Sequence, residues 1–318
     1  MKVRKDQWRG APQSINRREF LRLCAVIGAG AILAACKAAE PTPVPTKPAA
    51  AATATSKPAE PTRPVAPTAT IAAKPAEQPA AVATLAPTKE AAINLTWLGQ
   101  STFILATSSG LTALLDPMGA SVGYPLTTIT GVDLVTVSHE HSDHNNVGLA
   151  AGSPLVLRGL AGSDWAKIDQ TVKGVRVRTV PTYHDDSQGS QRGKNAIFVF
   201  ELEGLKLAHL GDLGHVLTPD QLKALGPVEV ILLPVGGAYT VDGRGAAEVV
   251  GQLNPRVIVP MHYKTPALGA SLAGRLAPVS DFTAALGASA KVMETGQVIS
   301  LSAGKLPAER TVMVMNYQ

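Results

Sequence analysis

The stretch His139-Glu140-His141-Ser142-Asp143-His144 constrains this chain more than any other segment. It packs three imidazoles and two carboxylates into one short loop, directly after the apolar run 133–137. Such a loop becomes a binding centre only if the fold brings further donors to it. Three later apolar runs end in the same way. The run 175–180 is followed by Pro181-Thr182-Tyr183-His184, the run 205–210 by Gly211-Asp212, and the run 256–259 by Pro260-Met261-His262. Strands that end on one edge of a sheet bring their following loops together. The order therefore predicts one cluster of His139, His141, Asp143, His144, His184, Asp212 and His262. Neutral imidazole nitrogen and carboxylate oxygen are good zinc donors. Two cations about 3.5–4 Å apart share a water and lower its pKa, and a carboxylate such as Asp212 can bridge them. All 7 histidines lie from position 139 onward, whereas both cysteines, Cys24 and Cys36, lie far upstream. A metal centre here has no thiolate to draw on.

The remaining texture from Ile93 onward is short apolar runs separated by glycine and polar turns. Runs at 94–97, 102–106, 111–115, 134–137, 175–180, 197–202, 205–210, 228–233 and 256–259 read as strands. Hairpin turns are expected at Ser108-Ser109-Gly110 and Glu203-Gly204. Thr218-Pro219-Asp220-Gln221 is a helix start with a capping box, ended by Gly226. A second helix is expected over 246–253, stopped by Asn254-Pro255, and a third over 281–286, capped by Ser280 and ended by Gly287. Hairpins come first and strand–helix–strand units later, which predicts an α+β fold of mixed sheets covered by helices.

The first 91 residues read differently. Asn16-Arg17-Arg18-Glu19-Phe20-Leu21-Arg22 resembles a twin-arginine export signal. The apolar run 23–35 that follows is shorter than the roughly 20 residues a spanning helix needs, so it fits a signal peptide core. Leu33-Ala34-Ala35-Cys36 resembles a bacterial lipoprotein cleavage box, with Cys36 as the lipidated residue. Residues 37–91 are rich in Ala, Pro and Thr and contain no aromatic side chain. Such a segment cannot bury enough apolar area to offset its ordering entropy, so it is expected to be a disordered, semi-rigid tether. The domain plan is thus 1–36 signal, 37–91 tether and 92–318 folded domain, anchored outside the cytoplasm on the cell membrane through Cys36. The formal net charge of +5 belongs to the leader and tether, because residues 1–91 hold 13 Lys and Arg against 6 Asp and Glu. The folded part is mildly acidic, so no nucleic-acid partner is expected.

The motifs together resemble the metallo-β-lactamase superfamily. The resemblance rests on Ser138–His144, His184, Gly211-Asp212 and His262, and covers residues 93 to about 300. Trp97-Leu98-Gly99-Gln100-Ser101 and Leu115-Asp116-Pro117 are similar to its small-domain branch, which includes ascorbate-phosphate lactonase-like and phospholipase D-like hydrolases. Many members of that branch carry His where this chain has Gln100. The resemblance implies a four-layer αβ/βα sandwich with the site on one edge. It implies two zinc ions per domain, with manganese or iron as alternatives: one held by His139, His141 and His184, the other by Asp143, His144 and His262, with Asp212 between. The implied chemistry is hydrolysis of an ester, lactone or phosphodiester in a small or lipid-like molecule by a metal-bridging hydroxide, with Asp143 assisting proton movement. A non-catalytic metal-binding surface lipoprotein would use the same cluster.

Several residues near the motifs are secondary candidates. His209 is expected inside a strand, behind the ligands, and His215 to orient a ligand, contact substrate or serve a helix entry. Asp185 is a candidate partner for a ligand imidazole. Tyr239, after the Gly236-Gly237 pair, is a candidate substrate contact. Lys264 is the nearest basic residue after a ligand.

Overall fold

The computed structural model describes residues 92–317, so the expected export signal, Cys36 and tether lie outside the described residues. The chain opens with β1 (Ile93–Gly99), β2 (Thr102–Thr107), β3 (Thr112–Leu115), β4 (Leu134–Val137) and β5 (Leu155–Arg158). A ribbon of β6 (Leu160–Ala161) and β7 (Asp164–Trp165) leads to β8 (Asp169–Val172), β9 (Val175–Tyr183), β10 (Lys194–Leu202) and β11 (Leu205–His209). The second half alternates: α1 (Pro219–Leu225), β12 (Val230–Pro234), α2 (Gly243–Leu253), β13 (Val257–Met261), α3 (Ala270–Ala273) and α4 (Val279–Leu286). It closes with β14 (Lys291–Thr295), β15 (Val298–Leu301) and β16 (Thr311–Met315).

These strands form a 6-stranded sheet, β15-β1-β2-β3-β4-β5, and an 8-stranded sheet, β14-β16-β13-β12-β11-β10-β9-β8. In β1 alternate residues Ile93, Leu95 and Trp97 are buried while Asn94 is exposed, the period of 2 expected of a strand with one face on the core. Strands β12 and β13 are buried at every position, as parallel strands covered on both faces must be. One core joins the two sheets: Ile93, Leu95 and Phe103 from the first pack with Val177, Phe198 and Phe200 from the second. Helices α1, α2 and α4 add Leu225, Ala246, Val249, Val250 and Phe282. This is the expected α+β sandwich with one modification. The outer layer over the first sheet is loop and 3₁₀ turn rather than α-helix, with Leu149 and Ala150 packed on Leu114, Val135 and Val137.

The second half holds parallel neighbours β11, β12, β13, β16 and β14. Strand β10 is antiparallel to both β9 and β11, so β9 and β11 end on the same edge. In the first sheet β3, β4 and β5 are parallel. The loops after β3, β4, β9, β11, β12 and β13 all leave from carboxyl ends.

Helix α1 starts with the expected capping box. The Gln221 amide donates to Thr218 Oγ1 at 3.3 Å, and the Thr218 amide to Gln221 Oε1 at 2.9 Å. Thr218→Ala is expected to lower unfolding free energy by about 1 kcal/mol, read as a shift of the urea midpoint at constant slope. Two helix starts differ from expectation. Helix α2 begins at Gly243 because Asp242, not a later residue, caps it through the Gly245 amide at 2.8 Å. Helix α4 begins at Val279 after Pro278, and Ser280 does not cap it. Proline fixes the extended entry, and Ser280 Oγ turns towards Asp281 at 3.5 Å. Strands β8 and β14 were illegible beforehand. Their side chains are almost all exposed and carry no alternation.

Candidate metal centre

The carboxyl edges deliver the seven predicted donors into one pocket. The loop after β4 supplies His139, His141, Asp143 and His144; the end of β9 supplies His184; the loop after β11 supplies Asp212; the residue after β13 is His262. Asp212 Oδ2 sits at the centre. It lies 3.2 Å from His144 Nε2, 3.2 Å from His184 Nε2, 3.3 Å from His262 Nε2 and 4.0 Å from His139 Nε2. Asp143 Oδ2 lies 3.5 Å from His144 Nε2 and 3.9 Å from His262 Nε2. Two groups could each hold a cation: His139, His141 and His184, and Asp143, His144, Asp212 and His262. Asp116, His139 and His144 form a third, overlapping group.

Buried polar atoms are normally hydrogen-bonded. Here His139 Nε2, His144 Nε2 and Asp212 Oδ1 are buried without an aligned partner. Nitrogen and oxygen donors gathered in one pocket and left unsatisfied suit a cation rather than a packed core.

Behind the donors, Asp116 fixes two imidazoles. Its Oδ2 accepts from His144 Nδ1 at 2.8 Å and from the Ser138 hydroxyl, and its Oδ1 accepts from the Ser138 amide at 2.8 Å. Ser138 Oγ in turn accepts from His139 Nδ1 at 3.0 Å, so Nε2 of both rings is left free to face the pocket. Asp116 was quoted only as part of a motif; its one sequence signal is an acidic residue ending an apolar run. Asn195 is a second residue that sequence reasoning missed. Its Oδ1 accepts the Asp212 amide at 3.0 Å, and its amide nitrogen donates to the Leu210 carbonyl at 3.0 Å. His209 is fully buried behind the pocket, outside the donor set. Nε2 donates to the Ser101 carbonyl at 2.9 Å, which leaves Nδ1 to accept the Gly211 amide at 3.2 Å. Asp116→Ala would strand the Ser138 amide and His144 Nδ1. It is expected to cost about 2–4 kcal/mol of stability and to weaken metal affinity about 10–100-fold, read by melting and by competition with a chelator.

Charge among the pocket side chains is shared unevenly. Burial opposes ionisation of Asp212, but His144, His262 and His184 outweigh it and hold the carboxyl far below its usual range. Asp143 is held low for the same reason, against burial, by His144 and His262. For His144 and His262 burial disfavours the proton, yet Asp212 and Asp143 push both upward. Burial and the neighbouring imidazoles hold His139 and His141 low, so these two are neutral donors.

Backbone clearance matters at two glycines. A Cβ at Gly214 would strike the His184 carbonyl carbon, and one at Gly236 the His262 carbonyl oxygen. Gln100, Asp116 and His262 themselves adopt left-handed backbones, with φ of 48°, 42° and 53°. The Gln100 carbonyl accepts the His262 amide at 3.2 Å, and Gln100 Nε2 donates to Asp143 Oδ2 at 3.3 Å.

A cavity of about 400 Å³ opens over the donors, walled by Ser121, Val122, Arg192, Tyr239 and Leu272 among others. Tyr239 therefore lines the cavity. One secondary expectation is corrected, and the open alternatives for His215 and Lys264 resolve to structural and solvent-exposed roles. Asp185 does not touch a ligand imidazole, because its oxygens are taken by loop donors. Oδ1 accepts from the Ser187 amide, the Ser187 hydroxyl and the Gly189 amide, and Oδ2 accepts from the Gln191 and Arg192 amides at 3.0 and 2.7 Å. His215 orients no ligand directly; its Nε2 accepts the Tyr183 amide at 3.1 Å, steadying the strand end before His184. Lys264 is exposed and outside the cavity wall, where the cation is Arg192. Burial opposes the charge on Asp185, but the Arg192, Gln191 and Gly189 amides and the Ser187 hydroxyl bring its carboxyl down to about 2. Asp185→Ala should release loop 185–192, with fast amide exchange there and about 2–3 kcal/mol lost in denaturant titration.

Comparison with known proteins follows the same lines. The family model "Beta-lactamase superfamily domain" matches residues 94–262. The UPF0173 metal-dependent hydrolase of Pyrococcus furiosus is 32% identical over 197 residues, covering 54% of this chain and 85% of that protein. That of Carboxydothermus hydrogenoformans is 29% identical over 232 residues, covering 66% of this chain and 100% of that protein. A solved structure from Thermotoga maritima, described as a Zn-dependent hydrolase of the metallo-beta-lactamase superfamily, shares 39% identity at a TM-score of 0.54. It covers 70% of this chain and 98% of its own. Sandwich, carboxyl-edge cluster and matched motifs agree: the chain belongs to the metallo-β-lactamase superfamily, within the UPF0173 family of metal-dependent hydrolases.

Proposed function

We propose that the chain is a dinuclear zinc hydrolase that cleaves an ester, lactone or phosphodiester outside the cytoplasm. The observation that carries this reading is Asp212 Oδ2 standing among four imidazole nitrogens, with further buried donors left unsatisfied beside it. His139, His141 and His184 would hold one ion, and Asp143, His144 and His262 the other, with Asp212 shared. Imidazole and carboxylate without thiolate suit zinc, and manganese or iron are accommodated by the same set. When bound, such ions polarise the scissile group and make water acidic near neutrality.

The protein's own side chains do the rest. Asp116 and Ser138 lock the tautomers of His144 and His139. Gln100 engages Asp143 Oδ2, which leaves Oδ1 to accept a proton from the attacking water and pass it to the leaving group. The sandwich floor excludes bulk water on the sheet side, since His139, His144, His184, Asp212 and His262 are all buried.

Location follows from the leader: an arginine pair, a short apolar run and Leu33-Ala34-Ala35-Cys36 occur in the order an exported lipoprotein uses. The twin-arginine route carries folded proteins, so metal would be acquired before export. The test joins metal analysis of the purified full chain, a panel of esters, lactones and phosphodiesters, and membrane fractionation of wild type against Cys36→Ala. Two equivalents of metal, turnover of one substrate class and release of the variant from the membrane are expected. Metal-loaded protein that cleaves no member of the panel would refute the hydrolytic reading.

A further inference from the structure

The cavity wall carries one guanidinium, and among the described residues it has no anionic partner. Arg192 lies 4.7 Å over the ring of Tyr239 and donates through Nη2 to the Ala238 carbonyl at 3.1 Å. No carboxylate lies within ion-pair distance of it among the described residues, although other arginines of the domain, such as Arg158 and Arg176, are paired. A guanidinium offers five donors in a planar fork, so most of this one is unspent. It is also held in place from two sides. Asp185 binds the Arg192 amide, and the aromatic face and the Ala238 carbonyl hold the head. Tyr239 is positioned in turn, because its hydroxyl accepts from Arg275 Nη1 at 2.8 Å, leaving its own proton free to donate. A fixed, unpaired fork beside a free phenolic proton is a receptor for an oxyanion.

Resting on the hydrolase reading above, we propose that the substrate is a small molecule with a second acidic group, a carboxylate or phosphate, which Arg192 and Tyr239 bind while the scissile bond lies over the His–Asp floor. A short apolar segment between the two ends would pass along Val122 and Leu272, which line the same cavity. A volume of about 400 Å³ accommodates a metabolite-sized molecule rather than a long acyl chain. Arg275 is a positioning residue, acting through the Tyr239 hydroxyl.

The test compares the 4-nitrophenyl monoester of glutaric acid with its neutral methyl ester on the metal-loaded full chain. Wild type should favour the acid-bearing ester by at least tenfold in kcat/KM. Arg192→Gln, which keeps bulk and removes charge, should cut that preference ratio about 10–100-fold, mainly through KM, and Arg192→Lys should restore part of it. Calorimetric titration with glutarate gives an independent reading, with binding about tenfold weaker in Arg192→Gln. An unchanged ratio with intact turnover overturns the anion subsite and leaves the hydrolase reading standing. Arginine-dependent glutarate binding by a metal-loaded protein that cleaves neither ester and no member of the lactone and phosphodiester panel supports the subsite and overturns the hydrolase reading. Glutarate binding that is indifferent to residue 192 also overturns the proposal.

Discussion

Asp212→Ala loses at least about a thousandfold in kcat/KM, roughly 4 kcal/mol of transition-state stabilisation, together with at least half of the bound metal. The expectation follows from position. Three imidazole nitrogens lie within 3.3 Å of Asp212 Oδ2, and no other carboxylate among the described residues comes as close to all of them. Removing it leaves His144 and His262 without their main counter-charge and, on the dinuclear reading proposed above, would leave the two ion sites with nothing in common. Asp212→Asn separates charge from shape: it keeps the volume and one oxygen and loses the anion. Its metal content should fall between wild type and Ala, with activity close to that of Ala. Plasma mass spectrometry and steady-state kinetics on the three proteins read the result. An Ala variant with full metal and activity within tenfold of wild type would show that Asp212 bridges nothing.

Stripping the metal is the second large perturbation. A chelator-treated chain should lose all turnover and melt about 5–10 °C lower than the same chain at a hundredfold excess of metal over its dissociation constant. That excess is worth about 2.7 kcal/mol by mass action. The gap should widen as pH rises. In the stripped chain His144 and His262 have raised pKa values, so the stability they contribute is complete below the ordinary imidazole range. It is lost as pH climbs through their folded values. In the loaded chain those rings would bind metal in their neutral form and would have no such stabilisation to lose, and fewer protons would compete for the site. Calorimetric scans of both forms across that range measure it. Equal melting of the two forms at every pH, or turnover surviving in the stripped chain, would contradict a metal-dependent centre.

The sequence carried the donor set because chemistry of this kind is written in residue types that few other roles require. His139, His141, Asp143, His144, His184, Asp212 and His262 stand at run ends, and the sheets bring those ends together. What lay behind and in front of them was harder to read. Asp116 and Asn195 act through backbone amides and ring nitrogens of residues far along the chain, and no local pattern announces such pairings. Asp185 looked like a neighbour for His184 because it is next in sequence. In the fold it turns away to collect the donors of its own loop, an outcome decided by backbone direction rather than by spacing. The charged loop 185–194 could be read as part of the site mouth, but not which of its residues reaches the cavity; the approach of Ala238 and Tyr239 from another loop places Arg192 there. Strand β1 was legible from its alternation and β14 was hidden by exposure on both faces, while the half-buried β15 and the buried β16 went unread because each is a short run near the end of the chain with no motif beside it.

The cavity has two kinds of construction. Its floor is anchored to strand ends, with Asp116 in direct continuation of β3 and His262 of β13, and little there can shift without disturbing both sheets. Its rim includes excursions between elements, Arg192 before β10 and Tyr239 between β12 and α2, with Arg275 between α3 and α4 behind Tyr239. A lineage built on this plan can therefore exchange one clientele for another by rewriting three surface residues. Its reagent stays the same and its diet changes, so related chains should agree at the bottom of the bowl and disagree around the lip.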